Sequence, residues 1–493
     1  MAAAGTTVTS GRRAVGAAER PPSALERFFH LHERGSSVPI EIRGGLTTFM
    51  VMAYIIFVNP AILSFAGVPG LEGKGPPFSA VVAATCLVAG VMTLAMGLYA
   101  NYPFALAPGM GLNAVVAFQL VAGAGLPWQA AMGVIFLEGV AITLLVLTGF
   151  REAVMNAFPM TLKRAIGVGI GLFILFIGLY DGGFVRVPVE IGQTLTAPPS
   201  TPLSLGNFTS VRFVMAALGL LITLVLVARG VRGALLIGIV LTTVIATIVH
   251  YATGQAVSTV ATAATLPPQL LSLPDFSTLG AGLNFEVFAR LGVIAAVLTI
   301  FSVMLSDFFD TMGTVIGIGA EAGWLDEQGR LPRLERVLLV DSLAALVGGL
   351  AGCSSATTYI ESAAGVSDGA RTGLASVVIG VLFLLCLFLA PITGMIPPEA
   401  TAAALILVGF YMSAAARGID FGNLEEGLPA LLTIAGMPLT YSITNGIGIG
   451  VLSFVAIKVA RGKLAALHPM MWVAAVAFLL YFAMPALHLA YGI

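Results

Sequence analysis

Charge is what this sequence has least of. Only 10% of its 493 residues are Asp, Glu, Lys or Arg, against roughly 25% in an ordinary soluble domain. The formal net charge is −1, so no basic field points to nucleic acid, and none is expected as a partner. Cysteine is nearly missing as well. Cys86, Cys353 and Cys386 stand singly, with no CxxC among them, which argues against zinc, thiol redox chemistry and a disulfide framework. There is no HExxH and no aspartate pair with protease spacing. An enzyme is therefore not expected, and neither is a cofactor or a metal.

What is abundant is apolar sequence. Hydrophobic residues make up 58% of the chain, and apolar runs of about 20 residues recur from residue 44 to the C-terminus, the length that crosses a bilayer as an α-helix. The reading is an all-α polytopic membrane protein. Charges, Gly and Pro bound spans at 44–66, 78–99, 104–122, 128–149, 161–183, 209–228 and 232–252. A loop rich in Ser, Thr and Pro follows, and then spans at 290–318, 334–352, 355–371, 372–393, 399–416, 427–443 and 444–460. A last run, 469–490, is a fifteenth crossing, an interfacial helix, or a sign that 427–460 is one broken span.

Basic residues cluster in the N-terminal tail (Arg12, Arg13, Arg20, Arg27, Arg34), at Arg151/Lys163/Arg164, at Arg229/Arg232, at Arg330/Arg333/Arg336 and at Lys458/Arg461/Lys463, while 253–285 has none. With the N-terminus in the cytoplasm, fourteen spans place all of these clusters on the cytoplasmic side. No apolar stretch follows Arg12-Arg13 closely enough for a twin-arginine signal. Residues 1–43 read as a tail ending in an amphipathic stub, ALERFFHLHERG.

Seven spans on each side of the central loop require an inverted second copy. One poor span occurs at a matching place in each half: NYPFALAPGMGLNAVVAF from Asn101, and CSSATTYIESAAGVSDG from Cys353. Paired, Gly- and Pro-interrupted segments in two halves point to a transporter site at the midplane, because non-helical backbone survives in a membrane only where protein or a water-filled cavity satisfies it. The β-prone TTY of Thr357–Tyr359 is expected to pair as a short strand with FAL of Phe104–Leu106.

An acid at mid-bilayer costs roughly 2.5–3.5 kcal/mol on insertion scales, which makes each one informative. Glu361 lies in the second broken segment. Asp307 and Asp310 share one helix face in FSVMLSDFFDTMGTVIGIG, three residues apart. Glu138 and Asp341 sit in VIFLEGVAI and VLLVDSLAA. For Glu138, Asp341 and Asp307 a neutral acid bonded to a neighbouring helix explains the residue as well as a site does. Asp310 and Glu361 adjoin Gly- and hydroxyl-rich sequence, where a cavity can form. Two carboxylates in one dry cavity cannot both ionise cheaply, so one holds a proton while the other accepts hydrogen bonds. With no Lys or Arg in either broken segment, the expected ligand is a small planar molecule rich in N–H groups rather than an anion. Asn113 offers a donor and an acceptor from the opposite segment, Gly109 and Gly111 allow close approach or simply tight helix packing, and Phe104, Phe309 or Tyr359 could stack on a ring.

LERFF, GGLTTFMVMAYIIFVNPAIL, ALAPGMGLNA, FFDTMGT, TTYIESAAGV, RTGL and MPLTYSITNGI together resemble the nucleobase:cation symporters related to uracil permease, and among them the AzgA-like hypoxanthine/adenine/guanine permeases. The resemblance implies a seven-plus-seven inverted repeat with short strands at broken spans 3 and 10. It implies a core (44–150 and 286–395), a gate (151–260 and 396–493) and an extracellular loop at 261–285. By analogy the acid of the eighth span falls on Asp310, the Glu or Gln of the tenth on Glu361, and backbone near Gly111–Leu112 and Ile360 completes the substrate site. The implied function is proton-coupled purine uptake across the bacterial inner membrane, with a homodimer through the gate. Sodium coupling, a uracil or xanthine preference, and an anion carrier of the same fold are the alternatives. Uracil permease carries a histidine one turn after its eighth-span acid, where this chain has Thr314. None of His30, His32, His250, His468 and His488 lies in the expected site, so coupling would run through Asp310, Glu361 or Asp307.

Overall fold

A computed structural model describes residues 23–68, 70–149, 158–186, 203–260, 262–326 and 331–491. The tail with Arg12, Arg13 and Arg20, as well as Arg151 and Arg330, falls outside the described residues. Among them, nine helices are long and apolar enough to cross a membrane. Span 1 is Val38–Leu63, span 2 Phe78–Ala100, span 4 Trp128–Thr148, span 5 Met160–Asp181, span 6 Val211–Ala228, span 7 Ala234–Thr253, span 8 Val293–Gly319, span 12 Pro398–Gly418 and span 14 Ile443–Ala460. Span 9 (Leu334–Ala351), span 11 (Gly373–Phe388) and span 13 (Leu424–Thr440) complete the unbroken set.

Spans 3 and 10 are the broken pair. In span 3, strand β1 (Leu106–Pro108) runs into a half-helix, Met110–Gly123, which widens to π-helix from Val115. Two further short strands, β2 (Val185–Arg186) and β3 (Ser204–Leu205), pair antiparallel. In span 10, β4 (Ala356–Thr358) precedes the short helix Ser362–Ser367. β1 and β4 pair antiparallel with Leu106 opposite Thr358 and Pro108 opposite Ala356. The sequence places this pairing in FAL and TTY, whereas the paired strands are LAP and ATT. Proline is tolerated at Pro108 because the ladder is carried by its neighbours, the Ala105 carbonyl and the Gly109 N–H, and the nitrogen at 108 faces away from β4.

The packing repeats itself when the halves are exchanged. Span 2 packs on span 11 as span 9 packs on span 4; span 1 packs on span 11 as span 8 packs on span 4. Span 13 packs on span 5 as span 6 packs on span 12, and spans 6–7 and 13–14 form equivalent hairpins. Antiparallel β1 and β4 lie on the axis of this exchange. The chain is thus an all-α inverted repeat with one pair of strands at its centre.

The run 427–460 is two helices rather than one broken span. Tyr441 adopts φ 53° between them, and spans 13 and 14 then pack along each other. Their backbones meet at Gly446, where a Cβ would fall 2.3 Å from Met437 Cγ, and at Gly450, where it would fall 1.8 Å from Thr433 Oγ1. The last run is a separate helix, Pro469–Tyr491, seated on spans 14 and 8. Span 1 starts six residues before its apolar run, because the charges there are tied down: Glu41 is fully buried and accepts the N–H groups of Arg371 and Thr372. At the same end Arg232 makes a bidentate pair with Asp368 at 2.5 and 2.8 Å, and Thr47 donates to that carboxylate. The loop leading into span 7 is thereby tied to the end of broken span 10. The stub begins as helix Ala24–Phe29, closed by a Ser23/Glu26 capping box, and buries Phe29 and Leu31 against Leu374.

Spans 2 and 11 approach to backbone contact, since a Cβ at Gly373 would lie 2.0 Å from the Gly97 carbonyl oxygen. Gly373→Val is therefore expected to destabilise the bundle by roughly 1–3 kcal/mol or more. Gly167→Ala, where a Cβ meets open space, should be neutral or stabilising by up to ~1 kcal/mol. Thermal unfolding of the detergent-solubilised variants measures both.

Candidate functional site at the crossing of spans 3 and 10

The strands need acceptors and donors from their surroundings, and each neighbouring span supplies some. Gly109 N–H donates to the Ser355 carbonyl at 2.8 Å, and Tyr359 N–H to the Ala105 carbonyl at 2.9 Å, extending the pair at both ends. Thr93 of span 2 both donates to the Leu106 carbonyl and accepts its N–H. Ser362 accepts the Ala105 N–H at 3.0 Å, and Ser376 of span 11 donates to the Tyr102 and Phe104 carbonyls.

Asp341 of span 9 is the largest single anchor. Its Oδ1 accepts the N–H and the hydroxyl of Thr358, each at 2.7 Å, and Oδ2 accepts Thr311 Oγ1 of span 8 at 2.6 Å. Thr311 Oγ1 also lies 2.6 Å from Thr357 Oγ1. One carboxylate thus joins spans 8, 9 and 10. Glu138 of span 4 does a smaller version of the same, accepting Ser355 Oγ at 2.7 Å.

Glu361 stands where β4 gives way to the short helix, at its N-cap. Tyr54, fully buried in span 1, donates its hydroxyl to Glu361 Oε1 at 2.6 Å. Asp310 of span 8 is half-buried; its charged neighbours are Asp341 and Glu361. Ile360, between Tyr359 and Glu361, is 51% exposed. Tyr411 of span 12 lies within electrostatic reach of Glu361. Leu112 and Asn113 sit in the first turns of the span 3 half-helix, whose N-terminal N–H groups have no intrahelical acceptors. Close approach is real at Gly111, where a Cβ would fall 2.5 Å from Ile170 Cγ2 of span 5.

Two of the aromatic candidates are placed elsewhere than at Glu361. Phe104 is fully buried in a separate apolar cluster, stacked on Tyr102 with centroids 5.3 Å apart and packed against Trp324. Alternation along an extended strand decides this: Tyr102, Phe104 and Leu106 face that cluster, while Ala105 and Ala107 face the main core. Phe309 packs edge-on against Phe158, with Lys163 Nζ 5.8 Å from its centroid, at the contact of spans 8 and 5. Tyr359 spends its hydroxyl on the Pro108 carbonyl at 2.5 Å. Asp307 is fully buried, with both carboxylate oxygens unpartnered, and so is the side-chain amide of Asn113. Thr314 is buried, and His30, His32, His250 and His468 all lie away from the crossing.

Sequence reasoning missed Tyr54. A tyrosine in the middle of an apolar span needs a partner for its hydroxyl, and that signal was present in AYIIFVNP.

An inverted repeat with two half-spans meeting at acid side chains is the architecture of a membrane carrier. The chain belongs to the Permease family of xanthine and uracil permeases, whose model matches residues 40–449. It is 40% identical to the adenine permease AdeP of Escherichia coli, over 96% of this chain and 97% of that protein. It is also 40% identical to the guanine/hypoxanthine permease PbuG of Bacillus subtilis, over 93% and 99%. The putative permease MJ0326 of Methanocaldococcus jannaschii is 41% identical over 93% and 98%. Among solved structures the fold is similar to the transmembrane domain of the cyanobacterial bicarbonate transporter BicA, with a TM-score of 0.58 and 16% identity over 86% of this chain and 97% of that one. The murine Slc26a9 anion transporter gives 0.59 and 11%, over 92% and 74%.

Asp341→Ala leaves the Thr358 N–H without an acceptor and should cost at least about 1–3 kcal/mol. Asp341→Asn keeps an acceptor oxygen and should cost distinctly less. Unfolding temperatures of the two purified variants, compared with the parent, provide the measurement.

Proposed function

We propose that this protein takes up purine nucleobases (adenine, hypoxanthine and guanine) across the plasma membrane as a secondary carrier, without a catalytic step. The observation that carries the reading is Glu361, a carboxylate at the crossing of the two half-spans with one oxygen held by Tyr54. Its other oxygen would accept N–H groups from the edge of a purine ring. The half-helix beginning at Met110 would offer backbone N–H groups to ring nitrogens and carbonyls, with Leu112, Asn113 and Ile360 around them. Asp310 is close enough to Glu361 for their charges to oppose each other, which suits it to carry the coupling proton. The names of the relatives support the same substrate class.

Spans 1–4 and 8–11 would move as a core against a gate of spans 5–7 and 12–14. The main contacts support that division, since spans 1, 2, 4, 9 and 11 pack on one another, as do spans 5, 6, 7, 12, 13 and 14. The basic groups Arg43, Arg232, Arg336 and Arg371 gather at one end of the bundle, which supports a cytoplasmic N-terminus. The fold neighbours carry anions by name, but paired acids repel an anion.

Uptake of radiolabelled adenine, hypoxanthine, guanine and uracil, with and without an uncoupler, tests the proposal in cells lacking their own carriers. Saturable purine uptake that collapses with the uncoupler is expected. Glu361→Gln should raise KM roughly ten- to hundredfold, the loss of a hydrogen bond to a charged group, and Tyr54→Phe by only about fivefold. Undiminished uptake by Glu361→Gln would move the site elsewhere, and no purine uptake by the parent at the membrane would refute the substrate class.

A further inference from the structure

Near the end of the bundle where spans 8 and 14 begin, a cavity of about 340 Å³ lies among spans 3, 8, 13 and 14 and the last helix. Lys458 and Arg461 stand at the opposite end of span 14, so the cavity is at the end away from the basic clusters. It is separate from the crossing of the broken spans. Its described lining includes neither Glu361 nor Asp310. Gln119, which does line it, stands nine residues past Met110 on the half-helix, on the order of 10 Å along a helix.

The volume suits a small ligand, at the lower end of the roughly 300–1,000 Å³ usual for such sites. A mere packing gap between apolar helices would be lined by aliphatic side chains, whereas this cavity is lined by rings and hydrogen-bonding groups. Phe118 of span 3 meets Tyr441, at the joint of spans 13 and 14, edge to face with centroids 5.5 Å apart, and Tyr481 of the last helix adds a third ring. Thr299 of span 8 and Asn445 of span 14 supply polar groups.

Those polar groups are poorly satisfied by the protein. Thr299 is only 4% exposed, yet its hydroxyl has no hydrogen-bond partner among the described residues. Ser302 and Ser306 of the same span return their hydroxyls to carbonyls four residues earlier, the ordinary recourse of a hydroxyl in an apolar helix. The one side-chain bond of Asn445 among the described residues comes from the Tyr481 hydroxyl at 3.3 Å, long for an O–H···O bond. A buried hydroxyl left open on a cavity calls for a partner from outside the protein.

Gln119 shows what kind of partner this wall accepts. Its amide nitrogen donates to Thr444 Oγ1 at 2.7 Å, and its amide oxygen accepts the Ile443 N–H at 3.1 Å. The first turn of span 14 thus binds a planar edge that carries a donor beside an acceptor. The lactam or amidine edge of a purine has the same pattern, on a flat ring that suits aromatic walls.

We propose that this cavity is a second binding site for a planar, N–H-rich heterocycle, a purine nucleobase, occupied before the ring reaches Glu361. With Gln119 left in place, the ring lies against Phe118 and Tyr441 and hydrogen-bonds Thr299, Asn445 and Tyr481. Spans 3 and 8 belong to the core side of the proposed division and spans 13 and 14 to the gate side, so the walls part as the two move. The choice of a purine rests on the carrier reading. The ring-lined polar cavity does not.

The test is equilibrium binding of radiolabelled adenine and hypoxanthine to the purified full-length protein, with photolabelling by 8-azidoadenine to locate the sites. The parent should show a tight and a weak saturable component. Glu361→Gln should weaken the tight component and leave the weak one unchanged, and its label should fall on the peptides that hold Tyr441, Asn445 or Tyr481. Thr299→Val removes one hydroxyl and should weaken the weak component roughly three- to tenfold, with the tight one unchanged. Ala295→Phe, which fills the cavity from the foot of span 8, should abolish the weak component. Should that variant fail to fold, Thr299→Val decides alone, and a weak component it leaves unchanged overturns the inference. A single component in the parent, or label confined to the surroundings of Glu361, overturns it too and leaves the purine reading intact. Label displaced by a fatty acid and not by adenine makes the cavity a lipid site and overturns it as well. A protein that labels at the cavity but carries no purine refutes the carrier reading and leaves the second site standing.

Discussion

Everything in this molecule depends on three residues of one broken span pairing with three of another inside a membrane. The β1–β4 ladder is too short to be stable alone, and its backbone groups cannot turn to water. Thr93, Ser362, Ser376 and above all Asp341 supply what the ladder lacks. The cost of opening two helices at the midplane is offset by a small set of buried hydroxyls and one saturated carboxylate. The gain is two half-helices that start from one strand pair at the centre of the repeat.

The five buried or half-buried acids near the crossing separate by their partners rather than by their positions in the sequence. Asp341 is fully bonded and structural. Glu361 holds Tyr54 on one oxygen, and Asp310 is half-buried. Glu138 is half satisfied, and Asp307 is bare. A carrier needs both kinds: fixed charges to hold the scaffold and unsatisfied ones to respond to what arrives. Span 12 contributes Tyr411 and, at one end of the bundle, the Arg232–Asp368 pair ties the end of broken span 10 to the approach of span 7.

Much of the architecture was legible in the residues. Apolar runs bounded by Gly, Pro and charge place the spans, and the two poor spans in matching positions mark the centre. The start of span 1 was hidden because Glu41 and Arg43 look like a boundary until their partners, Arg371, Thr372 and Asp368, are known. Spans 13 and 14 were bounded separately, and the alternative of one broken span stayed open only because Tyr441 takes a left-handed turn that sequence assigns to glycine. Strand alternation says that Phe104 and Ala105 face opposite ways, but only the neighbours Tyr102 and Trp324 say which way is inward. Asp341 and Asp307 are alike in sequence, each a lone acid in an apolar helix. Their difference lies in the hydroxyls that other spans bring, and no local pattern encodes that.

The most direct test of the central claim is an electron cryomicroscopy map of the purified protein with bound adenine or hypoxanthine. The account predicts planar ligand density at the β1–β4 crossing, with one edge within hydrogen-bond distance of Glu361 and the other against the first turn of the half-helix at Met110. Ligand density away from that crossing, with Glu361 still bonded to Tyr54 alone, would contradict it.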